Sequence, residues 1–164
     1  MDKVVFVLRA IPGSGKSTLV AGPAREKFGA VVCSADAFFT SSDGTYRFDP
    51  SRLPEAHGAC LRDFLDAVMF GSPCVVVDNT STSNIEAAPY EAVARAYGYR
   101  VFHIIVMTDP VVGASRNVHG VPAAAVARMS DTLHREVEAA PPWWEMRVFV
   151  DAHEAWAFVE ANLT

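Results

Sequence analysis

Apolar positions along this chain alternate between two regimes. Short runs of β-branched and aromatic residues, at 3–9, 30–34, 74–78, 100–107 and 147–150, read as strands. Between them, apolar residues recur three and four apart, which predicts helices over 16–27, 51–70, 84–97, 110–117 and 122–138, with a closing helix over 152–163. Within 51–70 the apolar face is Leu53, Ala56, Cys60, Leu61, Phe64, Leu65 and Val68. The first helix is expected to bend at Gly22-Pro23, where proline removes a backbone N–H. The run Cys74-Val75-Val76-Val77-Asp78 is apolar without a break, as in a strand covered on both faces. A polar, aromatic loop spans 40–50 with a turn at Asp43-Gly44; Gly98 ends one helix, 118–121 is a short break, and Pro141-Pro142 stops another.

Strand–helix alternation of this kind implies right-handed crossovers and a parallel sheet with helices on both faces, an α/β fold. The chain reads as a single domain over 1–164, with a lid at about 115–130 and a C-terminal strand and helix at about 145–163. Open parallel sheets bind ligands beyond the carboxyl ends of their strands. Those ends deliver the 10–18 loop, Asp36, Asp78-Asn79-Thr80 and Thr108-Asp109.

Composition narrows the setting. At 164 residues, with 51% hydrophobic and 20% charged residues, the chain has enough apolar material for a core of its own. No apolar run approaches the roughly 18 residues of a membrane span, and the N-terminal run is too short for an export signal. Cys33, Cys60 and Cys74 are odd in number, lack CxxC spacing and sit among apolar neighbours, so they read as reduced, buried thiols. These features together predict a cytoplasmic protein with no membrane contact and no obligate protein partner. A net charge of −5 does not suggest the basic face that long duplexes require, although it leaves a local basic groove open.

The most specific signal is Ala10-Ile11-Pro12-Gly13-Ser14-Gly15-Lys16-Ser17-Thr18, which follows a strand and opens a helix. It matches the phosphate-loop pattern with Ala10 in the first glycine's place. The loop Pro12-Gly13-Ser14-Gly15-Lys16-Ser17-Thr18 would cradle the phosphates of ATP with the backbone N–H groups that follow Pro12, with Lys16 on the β/γ-phosphates and the Ser17 hydroxyl on Mg²⁺.

Other candidates are weaker one by one. Asp36 can accept a proton from an attacking hydroxyl, or can cap a short helix. Asp78 at a strand end favours Mg²⁺ over an Asx turn once a phosphate loop is present. Arg116 and Arg128 flank the 118–121 break, where cations can close over ATP as a lid; a helix-end arginine also occurs for helix-dipole reasons alone. His119 is either a donor or a loop residue, and His57, His103, His134 and His153 lack metal-ligand spacing and read as structural. Trp143-Trp144 can stack on bases, but such pairs more often pack a terminal helix.

Four segments together resemble the polynucleotide-kinase-like P-loop family, an AAA-type group that includes the kinase half of phage polynucleotide kinase. They are Arg9 through Thr18, Ser34-Ala35-Asp36-Ala37-Phe38-Phe39, Val77-Asp78-Asn79-Thr80 and Arg116-Asn117-Val118-His119-Gly120-Val121, and the resemblance covers about residues 3–135. It implies a three-layer P-loop kinase fold with strand order 2-3-1-4-5 and a short helical lid. It also implies ATP and Mg²⁺ as cofactors and phosphorylation of the 5′-hydroxyl of a nucleic-acid end. By resemblance Asp36 is the general base, Lys16 and Ser17 meet the phosphates and metal, Asp78 meets the metal or substrate, and Arg116 belongs to the lid. Two positions depart from the phage pattern. Phe39 stands where those enzymes carry a substrate-gripping arginine, and the lid is shorter, so residues 43–50 are open to shaping a different acceptor site.

The sequence therefore reads as an ATP-dependent phosphotransferase acting on a hydroxyl, with a polynucleotide 5′-OH as the favoured acceptor. A sugar, nucleoside or antibiotic kinase on the same fold, and a nucleotide-binding regulatory module, are the alternatives.

Overall fold

The computed structural model describes residues 2–164. Its strands are β1 (Val4–Ala10), β2 (Val31–Cys33), β3 (Cys74–Asp78), β4 (Arg100–Val106) and β5 (Met146–Phe149). They form one sheet in the order β2-β3-β1-β4-β5, with every neighbouring pair parallel. The helices are α1 (Gly22–Phe28), α2 (Leu53–Phe70), α3 (Asn84–Ala96), α4 (Pro110–Arg116), α5 (Ala123–Glu138) and α6 (Ala152–Ala161). Among the described residues, no helix is long and apolar enough to cross a membrane.

Period-two alternation in the central strand divides the core. Val5 and Val7 of β1, with Val75 and Val77 of β3, face one cluster built with Ala56, Cys60 and Phe64 of α2 and Ala87, Tyr90 and Ala94 of α3. Val4, Phe6 and Leu8 face the other, built with Val20, Ala24, Ala155 and Val159 from α1, α6 and the turn before α1. Two buried faces on one strand produce three layers. The predicted face of α2 is buried in part: Ala56, Cys60, Phe64 and Val68 are buried, while Leu53, Leu61 and Leu65 pack at its margin. The three cysteines are free and buried, and burial pushes the Cys33 and Cys74 thiols up to about 12.

Helix ends follow their side chains. Ser83 and Glu86 form a reciprocal capping box at the start of α3. Asp109 and Asp151 accept backbone N–H bonds at the starts of α4 and α6. Gly29 and Gly71, both left-handed, close α1 and α2.

The bend expected at Gly22-Pro23 takes another form. Residues Ser17–Ala21 make a π-helical turn in which Gly22 N–H reaches back to Ser17 O, and α1 begins there with Pro23 in its first turn. Proline has no N–H to lose at that position, so the irregularity is taken up as a wider turn before it.

His103 on β4 is fully buried, with Nε2 2.8 Å from Glu91 Oε2 and its ring stacked on Trp144 at 4.3 Å. That settles the role of Trp144 as packing, while Trp143 stays exposed. Burial lowers the His103 pKa below its usual value despite the carboxylate, so the neutral ring donates from Nε2. Burial alone would raise Glu91; hydrogen bonds from His103 and Arg95 overcome it and hold the carboxyl below its usual range.

Below about pH 6.5 the unfolded chain takes up a proton that folded His103 refuses, so stability is lost as pH falls. Between about pH 7 and about pH 5.5, calorimetry should show the wild type losing more melting temperature than His103→Gln. Equal losses would mean that His103 takes up its proton as readily in the fold as in the unfolded chain.

Candidate functional site

Strand β1 ends at Ala10, whose N–H donates to Thr80 O at 2.9 Å, so the loops after β1 and β3 leave the sheet side by side. The chain then turns through Gly13 (φ +78°) and Gly15 (φ +85°), a backbone path that L side chains rarely take. Leu19 N–H bonds to Gly15 O at 2.8 Å, so helical winding begins at the end of this loop. N–H groups at such a start form an anion cradle. Alanine in the first glycine's place is accommodated as the last residue of β1, fully buried.

Lys16 lies over the loop with Nζ 3.3 Å from Asp78 Oδ1, both side chains largely buried. Asp78 Oδ1 makes no hydrogen bond beyond this ion pair. A buried carboxylate oxygen with only a lysine beside it is suited to a cation, directly or through water. Positive-φ glycines, an aimed lysine, the Ser17 hydroxyl and this carboxylate fit a triphosphate with Mg²⁺. Among the described residues, no group of three or more acidic, imidazole or thiol side chains forms a metal cage.

A cavity of about 420 Å³ is lined by residues 12–19, Asp36, Thr80 and residues 116–119. It brings Pro12, Gly13, Ser14, Gly15, Lys16, Ser17, Thr18, Asp36 and Arg116 together. Asp78 stands behind Lys16 rather than in the lining. Arg128 lies exposed on α5 and is not in the lining. Its neighbours on that helix, Val126 and Ser130, are buried, and this turns position 128 outward.

Asp36 does not cap the short helix it sits in. Ser34 does, accepting from Asp36 N at 3.2 Å, which leaves the exposed carboxylate free for other contacts. Tyr46 OH donates to Asp36 Oδ1 at 3.3 Å. Burial first, then the Asp36 charge, pushes the Tyr46 hydroxyl up to about 12, so it stays a donor. His119 Nε2 lies 3.6 Å from Asp36 Oδ2. The Asp36 segment is tied to β3 by Asn79, whose Oδ1 accepts from Ala35 N at 2.9 Å and whose Nδ2 donates to Cys60 Sγ at 3.4 Å.

Phe39 is buried against Phe38, Tyr46 and Phe48. Beside it lies a second cavity of about 570 Å³, lined by residues 38–41, Asp43, Thr45, Arg47, Asp49 and Arg52. Its carboxylates are committed locally: Asp43 to Ser41 and Thr45, Asp49 to Ser51, with Arg52 paired to Glu55.

Several supporting residues escape a linear reading. Gly113 in α4 touches the phosphate loop: a Cβ on Gly13 would lie 2.0 Å from Gly113 O, and a Cβ on Gly113 would lie 2.8 Å from both Pro12 O and Ile11 Cδ1. A glycine inside a helical pattern was the available signal. Arg9 is fully buried; its Nε donates to Ser81 O at 2.8 Å, while Nη1 and Nη2 have no hydrogen-bond partner. Burial lowers its pKa to about 10, against the opposing charges of Glu136 and Glu86. Ser81 holds a left-handed φ of +43°, so the guanidinium braces a strained corner of the loop after β3.

Comparison with known proteins places this geometry. A family described as an AAA domain matches residues 5–136. NEDD4-binding protein 2 of Homo sapiens is 32% identical over 138 residues, which is 82% of this chain and 8% of that protein. The chain thus spans under a tenth of that relative's length. A crystal structure of a sugar kinase from Janibacter sp. HTCC2649 superposes with a TM-score of 0.57 at 22% identity, covering 100% of this chain and 99% of that one. A chain of the Pnkp1/Rnl/Hen1 RNA repair complex superposes with a TM-score of 0.65 at 14% identity, covering 85% of this chain and 47% of that one. At these identities the two structures establish the P-loop kinase fold.

The glycine contact yields a direct expectation. Gly113→Ala should cost about 1–3 kcal/mol of stability by overpacking and weaken ATP binding in calorimetric titration, because α4 must back away from the phosphate loop. Wild-type melting and affinity in that variant would show that the close approach is dispensable.

Proposed function

The chain belongs to the polynucleotide-kinase-like P-loop family, here matched as an AAA domain, and on that premise we propose that it transfers the γ-phosphoryl group of ATP to a hydroxyl, with a nucleic-acid 5′-OH end as acceptor. The reading rests on the convergence of Lys16, Asp36 and Arg116 on one cavity. The phosphate loop holds the triphosphate through backbone N–H groups, with Lys16 on its terminal phosphates. The acceptor O–H gives its proton to Asp36. The oxygen forms a bond to the γ-phosphorus as the bond to the bridging oxygen breaks, and ADP leaves. Arg116 and Lys16 neutralise charge on the moving group. Ser17 and Asp78 would hold Mg²⁺, which would supply positive charge beside the phosphates when bound.

The acceptor assignment draws on the resemblance of the four sequence segments and on the fold shared with the RNA-repair chain. A second reading, a kinase of small hydroxylated molecules, is favoured by one observation: Phe39 puts an apolar ring beside the second cavity, and the cations there are offset by equal numbers of carboxylates.

Purified protein incubated with labelled ATP and Mg²⁺ is offered 5′-OH oligonucleotides beside a panel of sugars and nucleosides. Label on the oligonucleotide is expected; label on a metabolite alone would transfer the assignment to the second reading, and nucleotide binding with no transfer would leave a regulatory module. Asp36→Asn should keep ATP affinity and lose transfer by roughly a hundredfold or more. Lys16→Ala should weaken binding and transfer together, and no change in either would remove the phosphate-loop assignment.

A further inference from the structure

Asp36 is approached from two sides by parts of the chain that are far apart in sequence. On one side, residues 40–46 form a small hairpin closed by an antiparallel bridge between Thr40 and Tyr46. Tyr46 packs its ring on Phe39 and donates its hydroxyl to Asp36 Oδ1. On the other side is the tip of the lid. Asn117 ties this tip into one unit: its Oδ1 accepts from Val121 N at 2.9 Å, and its Nδ2 donates to Ala114 O at 2.9 Å and Val121 O at 3.2 Å. Gly120 turns the tip at φ +68°. The residue this turn presents is His119, with its ring 4.5 Å from the Tyr46 ring and its Nε2 facing Asp36 Oδ2.

Each carboxylate oxygen is therefore addressed by a different element. Tyr46 occupies Oδ1 with a hydrogen bond. His119 stands off Oδ2 at 3.6 Å, longer than a hydrogen bond, so that oxygen keeps its lone pairs for an incoming proton. Arg116 sits at the end of α4, immediately before the tied segment, and lines the phosphate cavity together with His119. A movement that carries Arg116 onto the phosphates carries His119 along with it.

We propose that His119 is a positioning residue: from the tied segment after α4 it orients Asp36 toward the acceptor hydroxyl, so that the alignment of the base depends on the element that also carries Arg116. The proposal rests on Asp36 as the base. Its physical content is a coupling between two ends of the reaction through one short loop. The Tyr46 and His119 rings lie against each other, so the two elements that address the carboxylate are also packed together. Misalignment of a base by a fraction of an ångström reduces the rate without affecting how ATP is held.

The test uses the full chain, labelled ATP and a 5′-OH oligonucleotide, or the panel member that takes label. His119→Ala should lower kcat on the order of tenfold to a hundredfold with the KM for ATP within about twofold of wild type. His119→Gln, which keeps a donor near Oδ2, should recover most of the loss. Melting temperature and ATP affinity check that each variant is folded. In the protein without substrates, the His119 ring resonances should shift in Asp36→Asn. Wild-type kcat in His119→Ala, or equal losses in His119→Ala and His119→Gln with a raised KM for ATP, would overturn the positioning role. Turnover by Asp36→Asn would remove the base assignment and the proposal with it. An inactive Asp36→Asn beside a fully active His119→Ala would overturn the proposal alone.

Discussion

Two backbones meet where Gly13 of the phosphate loop lies against Gly113 of α4, and the site is built around that contact. No side chain fits between them on either side. The approach seats α4 directly on the loop, with Ile11 packed underneath, and places Arg116 one turn further along the same helix, over the cavity. Had either position carried a Cβ, α4 would stand off and take residues 116–119 away from the cavity with it. An attractive interaction could be weakened by degrees, whereas this steric condition is either met or not.

Behind the loop, the sheet supplies the rigidity that such close tolerances need. β1 is buried along its whole length, and its pairing with β3 and β4 aligns the strand ends that carry Asp78 and the loop after it. Two polar residues then distribute that order outward. Asn79 links the end of β3 to the segment bearing Asp36, and Arg9 braces Ser81 in the next stretch of loop. The Arg9 arrangement is costly, since a buried guanidinium with two unbonded terminal nitrogens gives up hydration. A polar group buried at such a cost can serve to fix the geometry around it.

How legible the molecule was in its sequence depended on how local each signal is. Strand β3, its terminal Asp78 and the phosphate loop were readable because a continuous apolar run and a glycine pattern act over a few residues. The sheet order came from resemblance rather than periodicity, because nothing in a strand's composition names its neighbour. Apart from the first helix, element ends shifted by at most two residues: β5 begins at Met146 and α6 stops at Ala161. Tyr46 could not be joined to Asp36 in advance, since the contact depends on a hairpin that brings residue 46 back over residue 36. His119 was readable as a donor or as a loop residue but not as a neighbour of Asp36, because its partners come from two other elements. Arg128 shows the converse: it is near Arg116 along the chain, yet helix phase turns it outward and it is not in the lining of the cavity.

The π-helical turn after the phosphate loop bears on what lengths this segment can take. Each residue advances an α-helix by roughly 100°, and the widened turn at Ser17–Ala21 adds one residue to the rotation between the loop and α1. That extra step lets Val20 and Ala24 point into the sheet while Ser17 and Thr18 face the cavity. Loss of one residue here would rotate the apolar stripe of α1 away from its seat, even if every chemical group in the loop were kept. The segment therefore carries a constraint on number as well as identity, like a gear whose tooth count must match its partner's. The exposed 40–50 loop has no buried helical stripe to keep in phase; its count matters only through the Thr40–Tyr46 bridge that sets where Tyr46 falls.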